Sequence, residues 1–370
     1  MQTVIITDGK YRASLAAIRA LGRAGYRVIV TQTRADVRGT PPAFSSRFAA
    51  QTHWFAGSAS DEGYADTLLA FLRKNDRPIL FCVGAVTLNT VARRRAEFAD
   101  ICSFLLAEPN VLDALNDKEA VWQKCVELGI SVPRAYTEMP DRYPVVIKPH
   151  CGERAGLPAA ERYAVANNID EYAAAIARMK QYDPTPLVQE KVEGEGRGVS
   201  LLLDAEGRCI SAICHRRIRE YPLTGGPSTC CESIYDEELI ERAYRLLRAF
   251  DFVGMAMVEF KGDCVLEVNP RVWGSFPLTA CAQSPFALHY ARAAAGETVT
   301  YTPCDYRTGV RMRFMLNDTL ATLSYLGRGD FRAFFCGIGD CFRAKEALAC
   351  RGDAAPMYRY LCGALFGRRR

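Results

Sequence analysis

The sequence predicts a chain of mixed α/β and α+β architecture, from three observations: a strand-helix-strand opening, a middle region of short strands separated by glycine turns, and a closing stretch of helical pattern. At 370 residues the chain exceeds a usual single core, so two or three packed domains are expected. Hydrophobic residues make up 49% and charged residues 24%, which allows a large interior and gives no ground for extensive disorder.

Val4 to Thr7 is an apolar, β-branched run, Ala13 to Ala24 reads as a helix, and Tyr26 to Thr31 reads as the next strand, together a parallel βαβ unit. The first turn, Thr7-Asp8-Gly9-Lys10, holds one glycine where a dinucleotide fingerprint needs G-x-G-x-x-G, so neither NAD nor FAD is expected there. Ile79 to Val83 and Phe104 to Leu106 supply further strands of the same open sheet. Pro109 then punctuates the chain. Asn116 or Asp117 caps a helix running to Leu128, which Gly129 closes, and Ser131 to Pro133 is extended.

Val145 to Lys148 is a strand ending in a lysine, followed by a glycine-containing loop from His150 to Gly156 that can fold over a ligand. A helix spans Asp170 to Lys180. Leu187 to Val192 is the next strand, then a glycine-rich run from Glu193 to Gly198, then strands at Val199 to Leu203 and Cys209 to His215 around the turn Ala205-Glu206-Gly207. Residues 301–370 look helical and end in Gly367-Arg368-Arg369-Arg370.

The formal net charge of +5 is small for this length and favours anionic ligands without naming one. The basic run His215, Arg216, Arg217 and Arg219 lacks the aromatic platform or reading helix of nucleic-acid modules, so no nucleic acid is expected as a partner. The 15 cysteines are scattered without a CxxC pair, which argues against a zinc ribbon or a thioredoxin-like site and for reduced thiols in a cytoplasmic protein. No basic segment with an apolar run and cleavage site precedes the first strand, and no stretch approaches the roughly 20 apolar residues of a spanning helix. Three terminal arginines without a lipid anchor give only marginal membrane attachment, so no stable membrane insertion is expected.

The stretch from Val258 to Arg271 carries the clearest chemistry. A turn at Lys261 to Asp263 makes it a hairpin, and period two puts Glu267 and Asn269 on one face while Leu266 and Val268 face the core. Glu259 lies on the facing strand. Two carboxylates pressed together repel unless a cation neutralises them, and oxygen donors on rigid strands suit Mg²⁺ that presents a nucleotide.

In chain order, NDKEAVWQKCVELGISVPRAY, VVIKP with its glycine loop, LVQEKVEGEG and EVNPR resemble the motifs of the ATP-grasp superfamily over about residues 110–290. The segment His215 to Thr229, with its HRR and TGGPST elements, is similar to the branch of carboxylate-amine ligases and carbamoyl-phosphate-synthetase-like enzymes. The resemblance implies an ATP-grasp fold with a Rossmann-like pre-ATP-grasp domain at 1–108, an N-terminal lobe at 109–186, a C-terminal lobe at 187–300 and a helical C-terminal extension at 301–370. It also implies ATP and Mg²⁺ (or Mn²⁺) as cofactors.

By the same resemblance, Lys118 and Lys148 bind phosphates, Gly152 belongs to the lid loop, and Gln189, Glu190, Lys191 and Val192 form the adenine-contacting hinge. Glu195 or a neighbour takes the ribose hydroxyls, and Glu259, Glu267 and Asn269 hold the metal. Arg271, placed by period two on the face of Asn269, contacts the acyl phosphate, while Arg217, ahead of Arg216 and Arg219, and Ser228 stabilise an anionic intermediate. Glu153 and Arg154 depart from the commoner small-residue form of the glycine loop. His215 is a candidate proton carrier, with a structural role as the commoner fate of a lone histidine.

The implied activity is an ADP-forming ligation: a carboxylate becomes an acyl phosphate and an amine then displaces phosphate, with small-molecule substrates, amino acids among them, and a homodimer as an admissible assembly. Two alternatives stand beside it. One is a bicarbonate-activating enzyme, against which the single grasp module and the absence of an MKM-type biotin-carrying loop weigh. The other is an ATP-binding regulator without turnover.

Overall fold

The computed structural model of the chain describes residues 1–151, 161–223 and 225–366. The N-terminal unit runs β1 (Thr3–Ile6), α1 (Arg12–Arg23), β2 (Arg27–Thr33), β3 (Gln51–Phe55), α2 (Tyr64–Leu72), β4 (Ile79–Phe81), α3 (Ala85–Arg93) and α4 (Arg95–Ala99). Its four strands are all parallel, in the order β3-β2-β1-β4. Val4, Ile5 and Ile6 are fully buried, as expected for a parallel strand covered on both faces.

The strand expected at Phe104 to Leu106 does not form: its pairing is a single bridge between Ile79 and Ser103. Side chains take over the backbone there, since the Tyr290 hydroxyl accepts from the Leu105 amide and Arg95 donates to the Leu106 carbonyl. Local apolarity signalled burial, which is real for Leu105 and Leu106, but not ladder pairing.

A smaller lobe follows, with α5 (Pro109–Asn116), α6 (Lys118–Glu127), β5 (Val145–Lys148), β6 (Ala164–Ala166), α7 (Ile169–Met179) and β7 (Leu187–Glu190). Asp117 caps α6 by accepting from the amides of Glu119 and Ala120, and Gly129 ends it with φ +66°. The antiparallel sheet β6-β5-β7 packs Val145, Ile147 and Val188 against Ala175 and Met179 of α7.

The remainder comprises β8 (Gly196–Leu203), β9 (Cys209–Glu220), β10 (Ser228–Ile234), α8 (Glu237–Arg248), β11 (Gly254–Lys261), β12 (Cys264–Asn269), α9 (Pro277–Cys281) and α10 (Phe286–Ala294). After them come β13 (Arg311–Arg313), α11 (Met315–Gly327), α12 (Phe331–Arg343), β14 (Lys345–Glu346) and α13 (Ala355–Phe366). One seven-stranded sheet of order β12-β11-β8-β9-β10-β13-β14 binds these parts together. The closing segment is therefore helical with two short strands inserted, three and two residues long, too short for a period-two pattern to show. An aromatic cluster of Phe81, Trp273, Phe276, Phe286 and Tyr290 locks the N-terminal sheet to the chain that leaves β12. Every described cysteine is a free thiol.

Candidate active site

Glu259 on β11 and Glu267 on β12 are direct cross-strand partners, and Met257 opposes Asn269 two residues further along the same pair. Between Glu259 and Phe260 the register slips, so Leu266 is the extra residue of a bulge. This corrects the simple alternation: Val265 and Val268 are buried in the core, and Leu266 is only half-buried. The bulge also frees the Leu266 carbonyl, which accepts from Lys148 Nζ at 3.4 Å.

Both lysines reach this hairpin from the smaller lobe. Lys118, the first residue of α6, sets its ammonium 3.2 Å from Glu267 Oε2. The two lysine-bearing elements are tied to each other, because the Lys118 amide donates to the His150 carbonyl at 3.1 Å. The His150 ring sits between Asp183 and Glu119, 3.0 Å from each. Nothing in the sequence pattern marks His150 as a clamp, since its partners lie on α6 and beyond α7.

Burial pushes both hairpin carboxyls up, but the outcomes diverge. At Glu267 the charges of Lys118 and Lys148 outweigh burial and hold the carboxyl below its usual range. At Glu259 burial prevails over the Arg217 guanidinium, with Glu267 adding repulsion, so its carboxyl stays raised. Burial brings Lys148 down to about 8 despite Glu267.

The arginines approach from the other side. Arg217 on β9 forms a short ion pair with Glu259 and lies 3.9 Å from Glu220. Asn269 links the groups: its amide nitrogen donates to Glu259 Oε1 at 3.3 Å, and its amide oxygen accepts from Arg271 at 3.0 Å. Arg271 is not a continuation of the strand, which ends at Asn269. Its amide donates to the Asn269 carbonyl at 2.8 Å across Pro270, and this tight turn brings the guanidinium back to Asn269.

Arg219 belongs elsewhere, buried between Asp318 and Asp340. Arg216 pairs with Glu232 and Glu195. Ser228 opens β10 and gives its hydroxyl to the Cys230 carbonyl at 3.1 Å; among the described residues no hydrogen bond joins it to the carboxylate pair. His215 is buried against Gly198, where an added Cβ would fall 2.3 Å from the ring, and burial pushes its pKa down to about 3. A neutral imidazole whose described polar neighbour is Ser275 Oγ at 3.4 Å has a packing role.

The segment expected as the hinge, 189–192, runs from the end of β7 toward β8. Gln189 is buried and bridged to Ala135, and Glu190 Oε1 accepts from the Arg134 amide at 2.9 Å. The amides of Glu190 and Lys191 donate to the Arg134 and Pro144 carbonyls, so Val192 carries the first hinge amide without a hydrogen-bond acceptor among the described residues. Lys191 pairs with Glu193, and Glu195 is exposed beside Arg216. Gly152, with Glu153, Arg154 and Gly156, lies outside the described residues.

Among the described residues no three His, Cys, Asp or Glu side chains converge as a metal cluster, so a cation here needs the Asn269 amide oxygen as its third donor. The donor chemistry fits a hard divalent ion: three oxygen-bearing groups on paired strands, with a third of the Glu267 side chain (33%) open to solvent and a Glu259 carboxyl that arginine alone leaves raised.

Comparison with known proteins bears on the fold that carries these residues. Residues 115–275 match the family model described as an ATP-grasp domain. The biotin carboxylase domain of Hydrogenobacter thermophilus 2-oxoglutarate carboxylase, solved with MgADP, ADP and bicarbonate, superposes with a TM-score of 0.64 at 13% identity, covering 84% of this chain and 73% of that one. Biotin carboxylase from Campylobacter jejuni, solved with a β,γ-ATP complex, gives 0.62 at 15% identity, covering 84% and 74%. At these identities the likeness is one of fold. No curated protein matches the sequence.

Proposed function

Residues 115–275 form an ATP-grasp domain, and from that premise we propose that the chain is an ADP-forming ligase that activates a carboxylate on Mg-ATP and passes it to an amine. The observation that carries the reading is the joint between the lobes: two lysines from one lobe converge on a cross-strand carboxylate pair of the other, bracketed by Arg217 and Arg271. Such an array of alternating charge matches a triphosphate and its cation, and has no comparable use as a packing device.

In this reading Lys118 and Lys148 bind the phosphates, and the lobes at 109–186 and 187–300 close on the nucleotide at the 189–192 hinge, where the Val192 amide is available to adenine. Gly152 belongs to the lid, and Glu195 faces the ribose. Glu259, Glu267 and Asn269 hold Mg²⁺, which supplies charge neutralisation of the phosphates when bound. A substrate carboxylate oxygen attacks the γ-phosphorus, the bond to the β,γ-bridging oxygen breaks, and ADP leaves. The amine nitrogen then attacks the acyl carbon, the carbon–oxygen bond to phosphate breaks, phosphate leaves, and the amine's proton passes to solvent. Arg271 and Arg217 orient the anionic oxygens through both steps, and Ser228, at the start of β10, would have to release the Cys230 carbonyl to join them. Positioning and charge do the catalysis, without a covalent enzyme intermediate.

A second reading, activation of bicarbonate, draws on the likeness to biotin carboxylases, one of them solved with bicarbonate bound. ADP release measured with Mg-ATP and pooled amino acids, with bicarbonate, or with neither separates the possibilities. Release that needs an amino acid supports the amine ligase. Bicarbonate dependence supports the second reading, and ATP binding without release under every condition overturns both.

A further inference from the structure

The α11–α12 hairpin is polarised the wrong way round for a helix pair in water. Its buried polar side carries Asp318 and Asp340, pinned by Arg219 from β9, with Arg311 of β13 as a second partner of Asp340. Its outer side carries Leu320 and Leu323 on α11, and Phe331, Phe335, Ile338 and Phe342 on α12. The last four recur at helical spacing and form one stripe, in which Phe335 is 66% and Phe342 is 88% exposed. Asp318 is the one charged residue of α11, and it is buried. A contiguous apolar face of this kind marks an interaction surface, and the buried ion pairs fix it facing outward.

Charge around the face selects its occupant. Arg332 and Arg343 fall on one flank of the α12 stripe at about 100° per residue, and Arg328 stands in the turn between the helices. All three are exposed, and none has an acidic partner among the described residues. The one exposed acid of the hairpin, Asp330, is engaged in capping α12 through the Ala333 amide. Phenylalanines and leucines rimmed by unpaired arginines match acyl chains beneath anionic headgroups. A second copy seated on the same face would bring its own arginines against these. No described helix is long and apolar enough to cross a membrane, so the hairpin lies on the surface.

We propose that the outer face of the α11–α12 hairpin docks the protein on an anionic lipid surface. The test is flotation of the full chain with vesicles of phosphatidylglycerol and phosphatidylcholine in equal parts, against phosphatidylcholine alone. The protein floats with the anionic vesicles and not with the neutral ones. Phe335→Ser with Phe342→Ser lowers the partition more than tenfold, and Arg332→Gln and Arg343→Gln lower it about fivefold each. These side chains are exposed, so circular dichroism and ADP release in solution stay unchanged. Absence of flotation, equal flotation with both vesicles, or a lipid-free dimer that the double phenylalanine variant converts to monomer would each overturn the proposal.

Discussion

Replacing Lys148 with methionine should stabilise the fold while abolishing turnover. Lys148 ends a buried strand and is 9% exposed, and its pKa falls from 10.5 to about 8. At about 1.4 kcal/mol per pH unit, keeping its ammonium in the folded protein costs about 3 kcal/mol at pH 7, with the attraction of Glu267 already included. The variant also loses the hydrogen bond to the Leu266 carbonyl, worth about 1 kcal/mol, so the net gain is about 2 kcal/mol. The folded pKa lies below the unfolded one, so the penalty is full below about pH 8 and shrinks as pH rises toward 10.5. The gain of Lys148→Met should therefore be near zero at about pH 9.5. Urea unfolding of both proteins at the two pH values, with ADP release at pH 7, measures all three quantities. A variant less stable than the parent at pH 7, or one that retains turnover, refutes the idea that a strained buried charge is held in place for a polyanion.

The same lysine predicts proton uptake when ATP binds near pH 8, because the phosphates restore its pKa; calorimetry in buffers of different ionisation enthalpy reads the uptake, and its absence removes Lys148 from the phosphate site. Glu267→Gln keeps the strand but removes a charge from the proposed metal site, so turnover should fall at least about 100-fold, while the loss of the partner of two buried ammoniums costs about 3 kcal/mol of stability; unchanged ADP formation would sink the metal assignment. Arg271→Lys should spare nucleotide affinity and slow the chemical step, since an ammonium cannot bridge two oxygens as a guanidinium does; equal loss of both places Arg271 in the wrong role. Arg219→Met strands Asp318 in the interior and leaves Asp340 with Arg311 alone, and should cost about 3–5 kcal/mol of stability, with ATP affinity of the folded fraction intact. Loss of affinity without loss of stability would return Arg219 to the site.

Where a residue's place follows from its own segment, the sequence was enough to locate it. Asp117 announces the start of α6 and so the place of Lys118, and the apolar run of Val145–Lys148 puts its lysine at the end of a buried strand. The acidic hairpin is legible because its turn and alternation lie within a dozen or so residues. What depends on a distant partner was not legible. Arg217 and Arg219 are two residues apart with similar neighbours, yet one meets Glu259 and the other meets acids about a hundred residues later. The Leu266 bulge leaves no compositional mark, although it moves one side chain out of the core and offers a carbonyl to Lys148. β13 is held by pairing with β10, and β14 by pairing with β13, rather than by propensity, and Phe104 to Leu106 shows the converse, a segment with strand composition whose backbone is met by tyrosine and arginine.

The path of the carboxylate oxygen tests the central claim most directly. With Mg-ATP and an amino-acid pool carrying oxygen-18 in its carboxylates, an acyl phosphate transfers one heavy oxygen to the released phosphate, and mass spectrometry of that phosphate should find it alongside ADP. Phosphate that carries only solvent or ATP oxygen, or AMP with pyrophosphate in place of ADP, would contradict the account.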